Sequence, residues 1–378
     1  MMYGELGGSR TRRTVTGMAR VLGALRLDGM LLSGLIVVSL FGLFVLWSAA
    51  GDNTPLWFNQ LARIGIGFTL LIVLSQVPDH FLRMLSPAVY LLGLVLLIVV
   101  AVVGDIGKGA QRWLDLGLIR FQPSEIMKLA VPMMCAWYLH QRPLPPTIRD
   151  VGVVLLVVLL PVALIAEQPD LGTALLVVAS GIIVLVMGGL SPAYLLGGVA
   201  VLGAAVPLVW RFLLHDYQRQ RVLTLLDPQS DALGAGYHII QSQIAIGSGG
   251  VFGKGWMNGS QAQLEFLPER STDFIFAVIG EELGLLGLFA LLIGYLFIVG
   301  RGMYMAMQCR DAYARLLAGS IALTFFVYAF VNAGMVMGLL PVVGVPLPLV
   351  SYGGTSFVTL MAGFGILMSL HSSRKLVG

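Results

Sequence analysis

The stretch Pro268-Glu269-Arg270-Ser271-Thr272-Asp273 places polar and charged side chains directly ahead of a long apolar run that begins at Phe274. A carboxylate beside hydrocarbon has its charged form penalised, which raises its pKa and suits a general base near neutral pH. The plainer reading is that Asp273, Ser271 or Thr272 caps the helix that follows. Glu281 and Glu282 lie about two turns deeper on the same helix. Three acids there are more than capping requires.

Two further clusters have chemical potential. In "GAQRWLDLGLIRFQPSEIMKLA" (109–130), Pro123 suits the first turn of a helix. Glu125 and Lys128, three residues apart, share a face of that helix and can pair. The pair is either a buried structural ion pair or part of a polar cavity wall. Arg112 precedes it beside Trp113, and its planar fork suits either phosphate oxygens or a lipid headgroup. In "AEQPDLGTA" (166–174), Asp170 opens a helix, where it caps the first amides or faces a cavity and binds a cation or hydroxyl.

The elements that position these residues must lie in a bilayer. The 378 residues are 57% hydrophobic and 11% charged, against about 25% charged in a soluble domain. Mean hydropathy is +0.89. No basic run is interleaved with aromatics, which argues against nucleic acid as a partner. Cys135 and Cys309 read as small buried hydrophobes with no disulfide framework. The glycine-rich "GSGGVFGKG" (247–255) lacks the strand and the Lys-Ser/Thr ending of a phosphate loop.

The expected fold is all-α and polytopic, because backbone groups in lipid must be satisfied within each segment. About ten spans of roughly 20 apolar residues are expected. They lie near 30–49, 60–77, 84–103, 123–140, 150–167, 170–188, 191–210, 274–299, 314–337 and 351–371. With the N-terminus in the cytoplasm, 13 of the 23 Lys and Arg residues fall on the cytoplasmic side. Both termini are then cytoplasmic, and loops 104–122, 211–273 and 338–350 face outward. A basic tail, 1–27, precedes one membrane domain, 28–378. Within loop 211–273, "YHIIQSQIAIG" reads as an amphipathic interfacial segment. The uncharged loop "GLLPVVGVPLPLVSYGGTS" (338–356) reads as a re-entrant or lipid-facing groove for a hydrocarbon tail.

Taken together, these motifs resemble the SEDS family of bacterial cell-wall proteins (shape, elongation, division and sporulation). The resemblance runs from about residue 28 to the C-terminus. The segments "QPDLGT", "DYQRQRVLTLLDPQSDALGAGYHIIQSQIAIGSGG", "QLEFLPERSTDFIFAV" and "NAGMVMGLLPVVGVPLPLVSYGGTS" carry it, with 109–130. "LPERSTDF" and "YQRQRV" look like the elongation branch rather than the division branch. Asn59-Gln60 stands where many members have Arg-Gln, with Arg63 one turn later, and Ser271 replaces a frequent His.

The resemblance implies a peptidoglycan glycosyltransferase that polymerises lipid II at the periplasmic face of the bacterial inner membrane. Asp273 falls at the family's essential aspartate. Glu125 and Lys128 match its ion pair, and Asp170 a second cavity acid. Substrate contacts are expected at Arg63, Arg112, Gln122 and Lys128, and at Asp170, Glu269, Arg270 and Ser351. A divalent cation, Mg²⁺ or Mn²⁺, is implied as cofactor. A class B penicillin-binding protein is implied as partner, beside lipid II and membrane lipids. The residues alone leave a transporter, specifically a lipid II flippase, and a non-catalytic scaffold as rivals.

Overall fold

In the computed structural model, the described residues are 23–372, apart from 52, 108–109, 116–119, 232–233, 265 and 268. Most of the basic tail, 1–27, lies outside them.

The chain folds as a helical bundle. Its first helices are α1 (Gly29–Ala50), α2 (Thr54–Ser75) and α3 (Asp79–Val103), followed by α4 (Pro123–Leu139), α5 (Ile148–Glu167) and α6 (Leu171–Met187). Next comes α7 (Pro192–Leu208), which runs into a π turn, Val209–Leu213. The connecting region carries α8 (Asp216–Leu226), α9 (Ala235–Gly249) and the short α10 (Ser260–Gln263). The bundle closes with α11 (Ile275–Glu282), α12 (Gly284–Gln308), α13 (Ala312–Val336) and α14 (Gly354–Ser372). Eight of the described helices are long and apolar enough to cross a membrane, and α6 is a shorter apolar helix.

Helix ends follow local chemistry. Asn53 accepts from the Leu56 amide at 3.3 Å and Pro55 sits in the first turn, so α2 starts six residues before the apolar run expected from 60. Thr147 and Asp150 form a capping box that starts α5. Asp28 caps α1 through the Leu31 amide (2.9 Å) and also receives Arg301 of α12, at 2.9 and 2.6 Å. That fork fastens the first long helix to a later one.

Three expectations need correction. The single span expected over 274–299 is two helices, α11 and α12. They break at Gly284, whose φ of 65° is a left-handed conformation that suits glycine, and α12 continues to Gln308. The expected outer loop 104–122 contains short strands, β1 (Asp105–Gly107), β2 (Ala110–Asp115) and β3 (Arg120–Phe121), paired antiparallel in that order. Of the two readings of the loop after α13, residues 345–350 follow the re-entrant one and turn into the bundle instead of facing lipid. Val345, Leu347, Leu349 and Val350 are buried, and a Cβ on Gly42 of α1 would sit 2.7 Å from the Val350 backbone. The loop is apolar because it packs into the bundle.

Helix α13 is the central pillar, with 72% of its most apolar window buried, against none for α7. It packs on α4, α6, α12 and α14. Helix α9, the segment expected to lie in the interface, is packed on the bundle. Its Ile239 and Ala245 are buried, it packs on α11, and its Ser242 hydroxyl donates to the Val336 carbonyl of α13 at 2.8 Å.

Candidate functional site

Asp273 sits in a turn that closes on itself before α11. The amides of Thr272 and Phe274 both donate to the Glu269 carbonyl at 3.2 Å. The Thr272 hydroxyl donates to the Glu269 carboxylate at 2.7 Å. None of these residues caps α11, whose N-cap position is Phe274 with no side-chain cap bond. The capping explanation for Asp273 therefore fails.

The turn is stitched down from two sides. The amide of Asn332, fully buried on α13, donates to the Asp273 carbonyl (2.9 Å) and to Val345 O (2.7 Å). Ser351 donates to the Thr272 carbonyl at 2.5 Å and accepts from the Leu347 amide at 2.7 Å. The Tyr352 amide donates to Ser271 O at 2.8 Å. The buried loop 345–352 thus fixes the backbone that carries Asp273.

Asp273 faces a cavity of about 350 Å³. Arg63, Arg112, Gln122, Glu125, Asp170 and Glu269 also line it, with Trp113, Tyr328 and Tyr352. Each is set by its own element. Arg63, on α2, lies over the Tyr352 ring, 4.3 Å from its centroid. Arg112, on β2, donates through Nε to the Gln168 carbonyl at 2.9 Å and through a second nitrogen to Pro169 O. Asp170 caps α6 through the Thr173 amide (3.3 Å) while its other oxygen accepts from Gln122 at 2.7 Å. Asp170 therefore caps a helix and borders the cavity at once.

Glu125 and Lys128 pair at 2.8 Å, both buried. Glu125 reaches the cavity, whereas the Lys128 ammonium stands behind it, 4.8 Å from the Tyr328 ring centroid. Arg270 and Ser351 do not line this cavity. Arg270 points across the turn into a separate cleft with Gly51, Asn53 and Ser271, and donates to the Ala262 carbonyl. Ser351 acts on the backbone of the turn, as above.

Glu281 and Glu282 do not join the site. Glu281 receives the Lys254 ammonium (2.7 Å), the Ser260 hydroxyl (3.1 Å) and the Gln261 and Ala262 amides (3.0 and 3.3 Å). Glu282 receives the Ser48 hydroxyl at 2.6 Å. The glycine-rich run packs alongside: the Lys254 and Gly255 amides donate to the Glu281 and Glu282 carbonyls at 2.9 and 3.0 Å. A Cβ on Gly249 would lie 1.9 Å from Gly280 O. Glycine there allows close helix packing, not phosphate binding.

Sequence reasoning missed Asn332 and Gln60. Gln60 is buried and bridges α2 to the 351–353 backbone, with both bonds at 3.3 Å. An amide inside an otherwise apolar helix is the signal that marks Asn332.

Among the described residues, no group of three or more His, Cys, Asp or Glu side chains could hold a metal ion. The cavity acids do fit the mode in which one or two carboxylates share a divalent cation with substrate phosphates.

Fold and cavity together define a polytopic membrane protein with a charged pocket at the end where its connecting segments gather. The chain belongs to the FtsW/RodA/SpoVE family: residues 24–376 match the family described as "Cell cycle protein". The peptidoglycan glycosyltransferase MrdB of Escherichia coli (strain K12) is 50% identical over 351 residues, which cover 93% of this chain and 95% of that protein. MrdB of Helicobacter pylori is 39% identical over 338 residues, 86% of each chain. A solved chain of a peptidoglycan synthase complex that coordinates polymerization and crosslinking superposes with a TM-score of 0.81 at 34% identity. The match covers 92% of this chain and 98% of that one. RodA of Thermus thermophilus gives 0.70 at 30% identity, over 92% and 97%.

Proposed function

We propose that this protein is a peptidoglycan glycosyltransferase that polymerises lipid II into β-1,4-linked glycan during lateral wall elongation. One observation carries the reading. A single cavity gathers Arg63, Arg112, Asp170 and Asp273 from four sequence-distant segments, so cations for a diphosphate stand in one space with a carboxylate that caps no helix.

Asp273 accepts the proton of the GlcNAc 4-hydroxyl of the acceptor lipid. That oxygen attacks C1 of the donor's MurNAc from the face opposite the diphosphate. The C1–O bond to the diphosphate breaks, its electron pair leaves with undecaprenyl diphosphate, and the α linkage becomes β. Arg63 and Arg112 offset the charge on the leaving group. Base catalysis supplies about 10²–10⁴-fold, and positioning of two lipid substrates supplies much of the rest. A divalent cation, Mg²⁺ or Mn²⁺, would be held by Asp170 and Glu269 with the diphosphate oxygens and would supply further charge neutralisation. Arg270, across the turn, has no part in this step.

The chain works in the bacterial inner membrane with both termini cytoplasmic and the cavity open to the periplasm. Its partner is a class B penicillin-binding protein that supplies transpeptidation. The test is a purified complex with a partner lacking any transferase domain, given lipid II and Mn²⁺, with products run on a gel. Glycan strands from wild type, and none from an equally folded Asp273→Asn complex, are expected. Strands made equally by the Asn variant would remove Asp273 as the base. Absence of strands from wild type, where a known polymerase succeeds on the same substrate, would favour transport or scaffolding.

A further inference from the structure

The strongest unassigned feature lies next to the cavity, on α8. Tyr217 of α8 donates its hydroxyl to the Ala166 carbonyl at 3.2 Å, docking α8 on the turn between α5 and α6. That same turn holds Arg112 through Gln168 and Pro169, and it presents Asp170. Arg221 lies four residues after Tyr217, on the same face of α8. Its guanidinium carbon is 5.9 Å from the Tyr217 ring centroid.

Arg221 is half-buried, and its Nη1 is sealed from solvent with no hydrogen-bond acceptor. Burial, and after it the like charge of Arg112, push its pKa below the usual arginine value, while Tyr217, Asp170 and Asp273 pull the other way. An arginine does not shed its proton in a protein. Its cost is relieved only by an acceptor or an anion.

Arg112 is held by the 168–169 carbonyls, and Arg221, on the helix that docks against the same turn, keeps a sealed and unmet donor. We propose that Arg221 binds the diphosphate of the donor lipid, with Arg112 as the second arm of the clamp. The inference rests on the glycosyltransferase reading and names a further substrate contact within it. The fork of an arginine pairs with phosphate oxygens in a way that a point charge does not.

Helix α8 is held where it stands. It packs on the turn at Pro228–Asp231 and on α9, its Gln218 and Thr224 are buried, and Arg219 donates to the Trp210 carbonyl at 2.9 Å. Arg221 is therefore carried on a fixed element.

The test uses the full chain in complex with its transpeptidase partner and farnesyl diphosphate as a soluble probe, with farnesyl monophosphate as control. Thermal stabilisation by the probe and inhibition of lipid II polymerisation are both read. For Arg221→Gln, the inhibition constant and the KM for lipid II should rise at least about tenfold, as expected for loss of a charged hydrogen bond. The stabilisation by a fixed concentration of the probe should shrink to match. Arg221→Lys should fall between Gln and wild type, and it keeps the question answerable where the Gln variant does not fold. Tyr217→Phe separates bracing from binding: a purely structural Arg221 would behave as Tyr217→Phe does, with a lower melting temperature and an unchanged inhibition constant.

An unchanged inhibition constant and stabilisation in folded Arg221→Gln, or in Arg221→Lys where Gln does not fold, would overturn the proposal. The two readings fail separately. If wild type makes no glycan but probe stabilisation depends on Arg221, the anion site stands and the polymerase reading falls. If glycan is made and the probe ignores Arg221, only the clamp falls.

Discussion

Helix α11 has acids at both ends, and they meet opposite fates. Glu281 and Glu282, at its C-terminal end, are 0% and 2% exposed. Donors from the 254–262 loop and from Ser48 of α1 converge on their carboxylates. Asp273, ahead of the first turn, has its backbone gripped by Asn332 while its side chain borders an open cavity. One pair holds a loop against the bundle, and the other carboxylate lines the cavity. An acid near hydrocarbon is thus not a functional residue by position in the sequence alone. The surroundings its side chain reaches decide.

Substitutions at the two ends of α11 should separate these roles. The largest effect on activity falls at Asp273. Asp273→Asn should lower glycan synthesis by about 10²–10⁴-fold with an unchanged melting temperature, measured by lipid II polymerisation and thermal unfolding of the same complex. Glu281→Ala should do the reverse. Removing the carboxylate leaves the loop donors that bond it, the buried Ala262 amide among them, unmet at about 1–3 kcal/mol each, so the melting temperature and the yield of folded protein should fall. Activity per folded molecule should stay near wild type. A stable Glu281→Ala protein that made no glycan would collapse the distinction.

The spans were legible because hydropathy integrates over about 20 residues and tolerates local error. The break at Gly284 was not, since a kink between two apolar helices leaves hydropathy continuous. The buried loop 345–350 was misread for a related reason: lipid and protein interior are equally apolar, and composition does not tell one from the other. The site was legible as a set of residue types at the right end of the molecule, but not as a set of directions. Arg270 and Asp273 are three apart, yet the turn sends them into different clefts. Gln122, in contrast, is 48 residues from the Asp170 carboxylate it steadies. Arg221 had a signal, a Tyr and an Arg four apart on a polar helix, but only a sealed guanidinium gives it meaning.

Glu125 and Lys128 combine both fates in one pair and sharpen the comparison. Lys128→Met alone strands a buried carboxylate and should destabilise strongly. The double variant Glu125→Gln/Lys128→Met removes both charges and should recover most of that loss. Because Glu125 also lines the cavity, the double variant should still polymerise lipid II about tenfold more slowly than wild type, within the range of one lost charged hydrogen bond. Full activity in the double variant would make the pair purely structural.

The smallest effect is a pH dependence beside the Asp273 turn. His238 of α9 stacks on Phe274, the residue after Asp273, with ring centroids 5.4 Å apart. Burial lowers its pKa below 6.5, while Glu269 and Asp231 pull it back up. A histidine with a depressed folded pKa binds fewer protons in the folded state than in the unfolded state. Its contribution is complete above the unfolded value of 6.5 and is lost as pH falls through the lower folded value. Wild type should therefore lose stability as pH drops below 6.5, on top of whatever the carboxylates contribute. His238→Phe keeps a ring against Phe274 and removes the titration, so its melting temperature should fall less over the same pH range. Identical melting curves for the two proteins from pH 7 down to pH 5 would show that His238 charges as freely in the fold as in water. The ring stack would then position the turn without making it sensitive to protons.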